Sequence, residues 1–262
     1  MAGYLKNAVL TEFLEERIMK TTFLLLTTLI CFSANQMYSQ VSLQIGGGLG
    51  YIAPTGNYAG STVDFYNGTK YGMSSGFNYH AKARVGLLGL NLFGIIEYST
   101  VSGDGESEPG QGTVENSHGI FSIKAGPEFN LSIPLSPVGF YLDGFVALNT
   151  FSGTVKFQGV SQVSTGEYDL ESQTRFGAGA GGGLLLDILP VVTLDLGVHY
   201  NFYNLFGKQY TGTTTNPKRL DAYTSLNDEK DPMYGADDDI FIIENGRSIN
   251  AWQFTLTAMI GI

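Results

Sequence analysis

The chain has 262 residues, 43% apolar and 13% aromatic but only 15% charged, against roughly 25% charged in an ordinary soluble domain. Its aromatics (17 Phe, 15 Tyr, 1 Trp) exclude disorder and its 35 glycines exclude a helical bundle. The balance of 24 Asp and Glu against 14 Lys and Arg excludes DNA and RNA as partners, because nucleic-acid affinity comes mainly from clustered cations.

The N-terminal region reads as a targeting segment. Phe23 to Phe32 (FLLLTTLICF) is the most apolar run, but it is far shorter than the roughly 20 residues a membrane helix needs. With Lys20 before it, the run resembles the apolar centre of a secretory signal. Met19-Lys20-Thr21-Thr22 is an ordinary start for such a signal, so residues 1–18 read as a start assigned too far upstream. Residues 1–39 are therefore set aside, with cleavage expected at Ser39/Gln40 and Ser33/Ala34 as the second choice. Cys31 is the single cysteine, so no internal disulfide can form and redox chemistry has no support. The bulky Ile30 before it disfavours lipidation.

From residue 40 onward no segment approaches 20 apolar residues, and period two takes over. In the first run Val41, Leu43, Ile45, Leu49 and Tyr51 share one face while small or polar residues occupy the other, which is strand spacing. Seven similar runs follow at about 77–87, 90–100, 118–129, 140–150, 174–186, 191–203 and 249–262. Each is long enough to cross a bilayer as a tilted strand.

The connections alternate in length. Those at 55–76, 101–117, 151–173 and 204–248 are long and polar, while Leu88-Gly89, the Pro134 to Pro137 turn and Asp187 to Pro190 are short. Long external loops, short periplasmic turns and an even strand count are the signature of an outer-membrane barrel. A soluble sandwich has no reason to sort loop length by end. Among the final connections, Ile240-Phe241-Ile242-Ile243 and Asn245-Gly246 read as an external hairpin extending strand eight, with a ten-stranded barrel as the alternative.

The two strand faces differ in charge. Tyr79, Ala81, Ala83, Val85 and Leu87 lie on the apolar side of strand two, Leu92, Gly94, Ile96 and Tyr98 on that of strand three, and Val192, Leu194, Leu196 and Val198 on that of strand seven. None is charged, and Lys or Arg at the mid-plane of a lipid face costs about 2–4 kcal/mol. The opposite faces collect Lys82, Arg84, Glu97, Lys124, Glu128, Asp143, Arg175 and Asp195. Four cations and four anions suit a lumen only wide enough for side chains, where charges must pair. The expected interior is a polar plug without a continuous pore. Residues 40–262 carry 21 acidic and 11 basic side chains, so the whole negative excess is expected outside the lumen, mostly in the external loops. Tyr51, Tyr79, Tyr98, Phe121, Phe176, Tyr200, Phe202, Trp252 and Phe254 fall at the external ends of their strands and read as an interfacial girdle, with scattered core aromatics as the alternative.

Three motifs have plainer readings. Gly177-Ala178-Gly179-Ala180-Gly181-Gly182 matches GxGxxG but lies inside a strand, whereas a dinucleotide site needs it between strand and helix; no cofactor is expected. His199 lies four residues after Asp195 on the inward face, with His80 also inward, so a hydrolytic pair is conceivable, but no serine can be assigned to it and no catalytic residue is expected. Asp237-Asp238-Asp239, with Asp228, Glu229 and Asp231 upstream, could ligate calcium. The run lacks the spacing of a calcium-binding loop, so a solvated acidic loop is preferred and no metal is expected.

These features, with Ile123-Lys124-Ala125-Gly126-Pro127-Glu128-Phe129 and Val198-His199-Tyr200-Asn201-Phe202-Tyr203-Asn204-Leu205, make residues 41–262 resemble the outer membrane protein beta-barrel domain family, of the OmpX and OmpA membrane-domain type. Trp252, Phe254, Leu256, Ala258, Ile260 and Ile262 resemble the C-terminal signal read by the barrel-assembly machinery, although this one ends in Ile262 where an aromatic is usual. The expected fold is therefore an all-β, eight-stranded antiparallel up-and-down transmembrane barrel over residues 40–262. Residence in the outer membrane of a Gram-negative bacterium is expected, in contact with outer-membrane lipid. The function expected is non-enzymatic: a structural role, or binding of a surface ligand or protein partner by acidic external loops. A narrow channel and a lipid-modifying enzyme are the alternatives, since fold alone does not choose a function.

Overall fold

The computed structural model describes residues 42–87, 90–132, 136–212, 218–237 and 239–261. The expected signal segment, Leu88-Gly89, part of the Pro134 to Pro137 turn, Asp238 and Ile262 lie outside these residues.

Eight strands form: β1 (Ser42–Thr55), β2 (Ser75–Leu87), β3 (Leu90–Glu108), β4 (Gln111–Ser132), β5 (Val138–Gln158), β6 (Gly166–Leu189), β7 (Val192–Phe206) and β8 (Asn250–Gly261). Each pairs antiparallel with the next, and β8 returns to β1, so the sheet is a closed barrel. Leu49 shows the closure, lying opposite Tyr79 on one side and Leu256 on the other. No edge is left within the ring, which lets strands sit in hydrocarbon with every ladder bond made internally.

Two connections expected to be loops are instead paired strand. Residues 101–117 continue β3 and β4 as far as a turn between Glu108 and Gln111, and residues 151–173 continue β5 and β6 out to Gln158 and Gly166. Strands of 19 to 24 residues far exceed the roughly 9–11 needed to cross a bilayer, so β3–β6 project beyond the membrane as a four-stranded external sheet. Its inward positions explain why: Val114, Val155 and Phe157 are buried there, so the alternating pattern continues because there is a second core to face. The described residues of the other two external connections, loop 1 between β1 and β2 and loop 4 between β7 and β8, fold over the mouth. Loop 1 carries a single-turn helix, α1 (Thr62–Tyr66), whose N-terminus is capped by the Ser61 hydroxyl on the Asp64 N–H, with Asp64 accepting in return from the Ser61 N–H.

The hairpin expected at Ile240 to Gly246 is absent, and β8 begins only at Asn250. Ile242 and Ile243 are apolar because they pack with Phe65, Tyr66, Val155 and Tyr223 in the external core. A short apolar run is consistent with either use, and only its neighbours decide.

Inside the ring, two strands present backbone where others present side chains. A Cβ on Gly48 would lie 2.6 Å from His80 Nε2 and 2.2 Å from the Leu256 carbonyl oxygen, and one on Gly179 would lie 2.3 Å from Phe145 Cζ. The bulky groups of β2 and β5 therefore lie across the glycines of β1 and β6, which accounts for the glycine-rich run of β6 without a nucleotide. Gly47, adjacent to Gly48, faces lipid and a Cβ there meets nothing nearer than 3.6 Å. Gly48→Ala is expected to lower the unfolding free energy in urea by about 1–3 kcal/mol through overpacking. Gly47→Ala is expected to stay within about 0.5 kcal/mol.

Candidate functional site

Along its axis the interior is divided into a polar lower part, an apolar layer and an external cap. In the lower part, Lys82 Nζ lies 2.7 Å from Asp195 Oδ2 and 3.1 Å from Glu128 Oε2. The Arg84 guanidinium spans the same two carboxylates: Nη2 donates to Glu128 Oε2 at 2.9 Å and to Asp195 Oδ2 at 2.8 Å. Its Nε sits 2.6 Å from Glu128 Oε1 as a close ionic contact. Tyr141 donates to the other Asp195 oxygen at 2.7 Å, and its ring lies 4.8 Å from Lys82 Nζ. One level up, Lys124 Nζ contacts Glu97 at 3.2 Å and donates to Asn201 and Gln253, while Gln253 donates to Glu97 Oε2 at 2.6 Å.

Every one of these groups is buried. Their strand positions account for that, since all occupy inward sites of a ring too narrow for water to fill. Two cations between two carboxylates offset the cost of leaving water only if nearly all donors and acceptors are used. The central cavity, bordered by His80, Lys82, Glu97, Lys124, His199 and Gln253, measures only about 10 Å³, room for about one water. A larger one of about 190 Å³ opens at the periplasmic end below Arg84.

Two of the inward charges stand apart. Asp143 pairs with His199, whose Nε2 lies 2.9 Å from Oδ2. The conceivable pairing of His199 with Asp195 is not made, because Lys82, Arg84 and Tyr141 already hold that carboxylate. His80 is bound to Asn78 and to the Thr257 hydroxyl. Arg175 sits at the mouth, above the polar part, and its partner comes from loop 4. Asp228 accepts from Arg175 Nε at 2.9 Å and Nη2 at 2.8 Å, from Asn204 Nδ2 at 2.9 Å and from the Gln209 N–H at 3.0 Å.

The ionic network is therefore confined to the lower part, and the layer above it is mainly apolar, with His118 buried against Tyr58, Tyr71 and Phe151. Above the Lys124 level, Ile52, Val101, Ile120, Phe151, Tyr203 and Ala251 from the strands pack with Tyr58, Tyr71, Met73 and Leu226 from loops 1 and 4 in one apolar layer. Burial drives the Tyr58 and Tyr71 hydroxyls well above their ordinary pKa, so both stay neutral. Arg247 lies over the Tyr71 ring at 4.2 Å and donates to the Asn227 carbonyl at 2.6 Å, binding loop 4 to loop 1.

Loop 4 is only in part the solvated acidic loop expected of its composition. Asp228 and Asp231 are buried, whereas Glu229, Asp237 and Asp239 are exposed. Among the described residues, no cluster of His, Cys, Asp and Glu has metal-binding geometry. Asn204 and Arg247, and the pairing of Asp228 with Arg175, escaped sequence reasoning because the contacts that define them join positions 24 to 53 residues apart.

The exterior across the membrane is apolar. Leu49, Tyr79, Leu92, Ile96, Leu142, Val146 and Phe254 are all exposed, and among the described residues no charge shares their faces within the membrane span. The rings named for the girdle are outward: Tyr79 is opposite Tyr98, which is opposite Phe121, and Tyr200 is opposite Trp252 with centroids 4.9 Å apart. A closed ring of eight antiparallel strands with this exterior and a charged interior defines an integral outer-membrane β-barrel.

No protein-family model matches the chain, and no curated protein matches it. Solved structures do. Neisserial surface protein A is 15% identical, with 86% of this chain and 99% of that one covered, at a TM-score of 0.43. Ail, the attachment invasion locus protein of Yersinia pestis, solved with the heparin analogue sucrose octasulfate, is 15% identical over 86% and 100%, at 0.38. A major outer membrane protein from Thermus thermophilus is 13% identical over 85% and 100%, at 0.48. Membrane residence rests on this chain's own ring and exterior.

Two variants test the arrangement. Lys124→Met strands Glu97 in a buried site and should cost about 3–5 kcal/mol of unfolding free energy, much of it recovered when Glu97 is also replaced by Gln, as a double-mutant cycle measures. Arg175→Met should leave the ring folded but release loop 4, so that trypsin cuts after Lys218 and Arg219 at least about tenfold faster than in the parent.

Proposed function

We propose that this chain is a non-enzymatic barrel of the Gram-negative outer membrane whose lumen charges lock the ring and whose external surface meets a surface ligand or protein partner. The observation that carries the reading is the division of labour along the axis. The lumen is occupied by its own ion pairs, while a second core, a helix and the described residues of loop 4 form a packed external structure. A conducting barrel needs continuous water, and here Lys82, Arg84, Glu128 and Asp195 close the section between the lower cavity and the centre. An enzyme needs substrate access, and the Asp143–His199 pair is sealed among Tyr141, Phe145 and the β6 glycines. The apolar exterior takes outer-membrane lipid as its solvent, and the outward Trp252, Phe254, Leu256, Ala258 and Ile260 of β8 are the segment offered to the barrel-assembly machinery.

The chain should fractionate with the outer membrane and migrate differently on gels before and after boiling; recovery in the soluble periplasm would defeat the reading. Purified barrel in planar bilayers should give no steady single-channel openings, whereas a narrow channel predicts them. Deletion should leave lipid A and phospholipid profiles unchanged, which a lipid-modifying enzyme would alter.

A further inference from the structure

The external sheet of β3–β6 has two faces of opposite character. Its inward face is the apolar core already described, with Tyr168 and Leu170 of β6 packed against it. Its outward face carries Asp104, Glu106 and Glu108 on β3, Glu115 on β4, and Glu167, Asp169 and Glu171 on β6. Lys156 on β5 is the single basic residue of these segments. The first of these carboxylates, Asp104, lies about 20 Å along β3 beyond the girdle residue Tyr98, six residues at about 3.3 Å each, so the face stands clear of the hydrocarbon.

Cross-strand register arranges these groups in rows. Asp104 lies opposite Glu115, Glu115 opposite Lys156, and Lys156 opposite Glu167. Lys156 Nζ reaches Glu115 at 2.9 Å, and both side chains remain about half exposed. That hydrogen bond raises the Lys156 pKa, so the lone ammonium is charged but already engaged. Like charges directly opposite on one face destabilise a sheet, yet Asp104 and Glu115 hold that position. The next row, Ser102, Ser117, Thr154 and Asp169, is made mostly of small hydroxyls. The step from short to long side chains leaves a trough of about 390 Å³ running across the strands.

Charge decides the occupant. A phosphate or sulfate would meet at least three carboxylates for one cation, whereas a guanidinium or ammonium would relieve the Asp104/Glu115 opposition and find hydroxyl acceptors beneath it. We propose that this outward face docks a Lys- and Arg-rich extended segment of a partner protein, its cations along the Asp104–Glu115–Glu167 row. This rests on the surface-binding reading above and names the chemistry of its partner.

The test uses the full chain in neutral detergent with fluorescent hexalysine as probe and hexaglutamate as control. Wild type should bind hexalysine in a salt-dependent manner and ignore hexaglutamate. The triple variant Asp104→Asn, Glu115→Gln, Glu167→Gln should bind about tenfold more weakly, the sum expected of three exposed ion pairs. A charge-matched variant in loop 4, Glu229→Gln, Asp237→Asn, Asp239→Asn, should bind as wild type does. Retained heat-dependent gel migration establishes that each variant is folded. Equal loss in the two triple variants, or preferential binding of wild type to phosphatidylglycerol vesicles, would overturn the docking face. Failure of the parent to be labelled at Lys156 on intact cells would instead defeat the surface reading on which it rests.

Discussion

The constraint on which this structure depends is the width of an eight-stranded ring. Such a ring encloses room for side chains and almost nothing else. Any charge on an inward position must therefore find its counter-charge on another strand or in the cap above, with almost no water to assist. Lys82 and Arg84 on β2 do so against Glu128 on β4 and Asp195 on β7, from across the lumen. Such pairs are weak evidence for net stability, but they tolerate no loss of a partner. They therefore specify which strands face one another. The same width explains the glycines: where one strand lays a His or Phe over the strand beside it, that neighbour must supply bare backbone.

The membrane-spanning fold was legible because the bilayer imposes one rule on every strand. Period two, an uncharged outer face and alternating connection lengths all express that rule locally, so the eight runs could be read without knowing which partners they take. Lys82, Arg84, Glu97, Lys124, Glu128, Asp143 and Asp195 could be placed inward by parity alone. Who pairs with whom could not. His199 is near Asp195 in sequence yet bonds to Asp143, since the choice is made by neighbours across the ring and by Tyr141 filling the competing site.

Legibility ended at the headgroups. Beyond them composition misleads, because a polar segment with scattered apolar residues reads as a loop whether or not it folds. Residues 101–117 and 151–173 are paired strands because Val114, Val155 and Phe157 have Phe65, Tyr223 and Ile243 to pack against, and those partners sit on loops 1 and 4. The apolar run at Ile240 to Ile243 was visible, but its use as core rather than strand depends on the same distant contacts. Asp228 reads as one more loop acid until Arg175 is placed beneath it.

The apolar layer beneath the cap draws on β1, β3, β4, β5, β7 and β8 through Ile52, Val101, Ile120, Phe151, Tyr203 and Ala251. No subset of neighbouring strands presents that surface, and the Arg175 to which Asp228 binds belongs to β6. Loop 4 can seat only on a finished cylinder, so its docking is the terminal event of assembly. The outside of the cell consequently meets an ordered cap only on molecules that have completed insertion, and half-inserted chains present a different surface altogether.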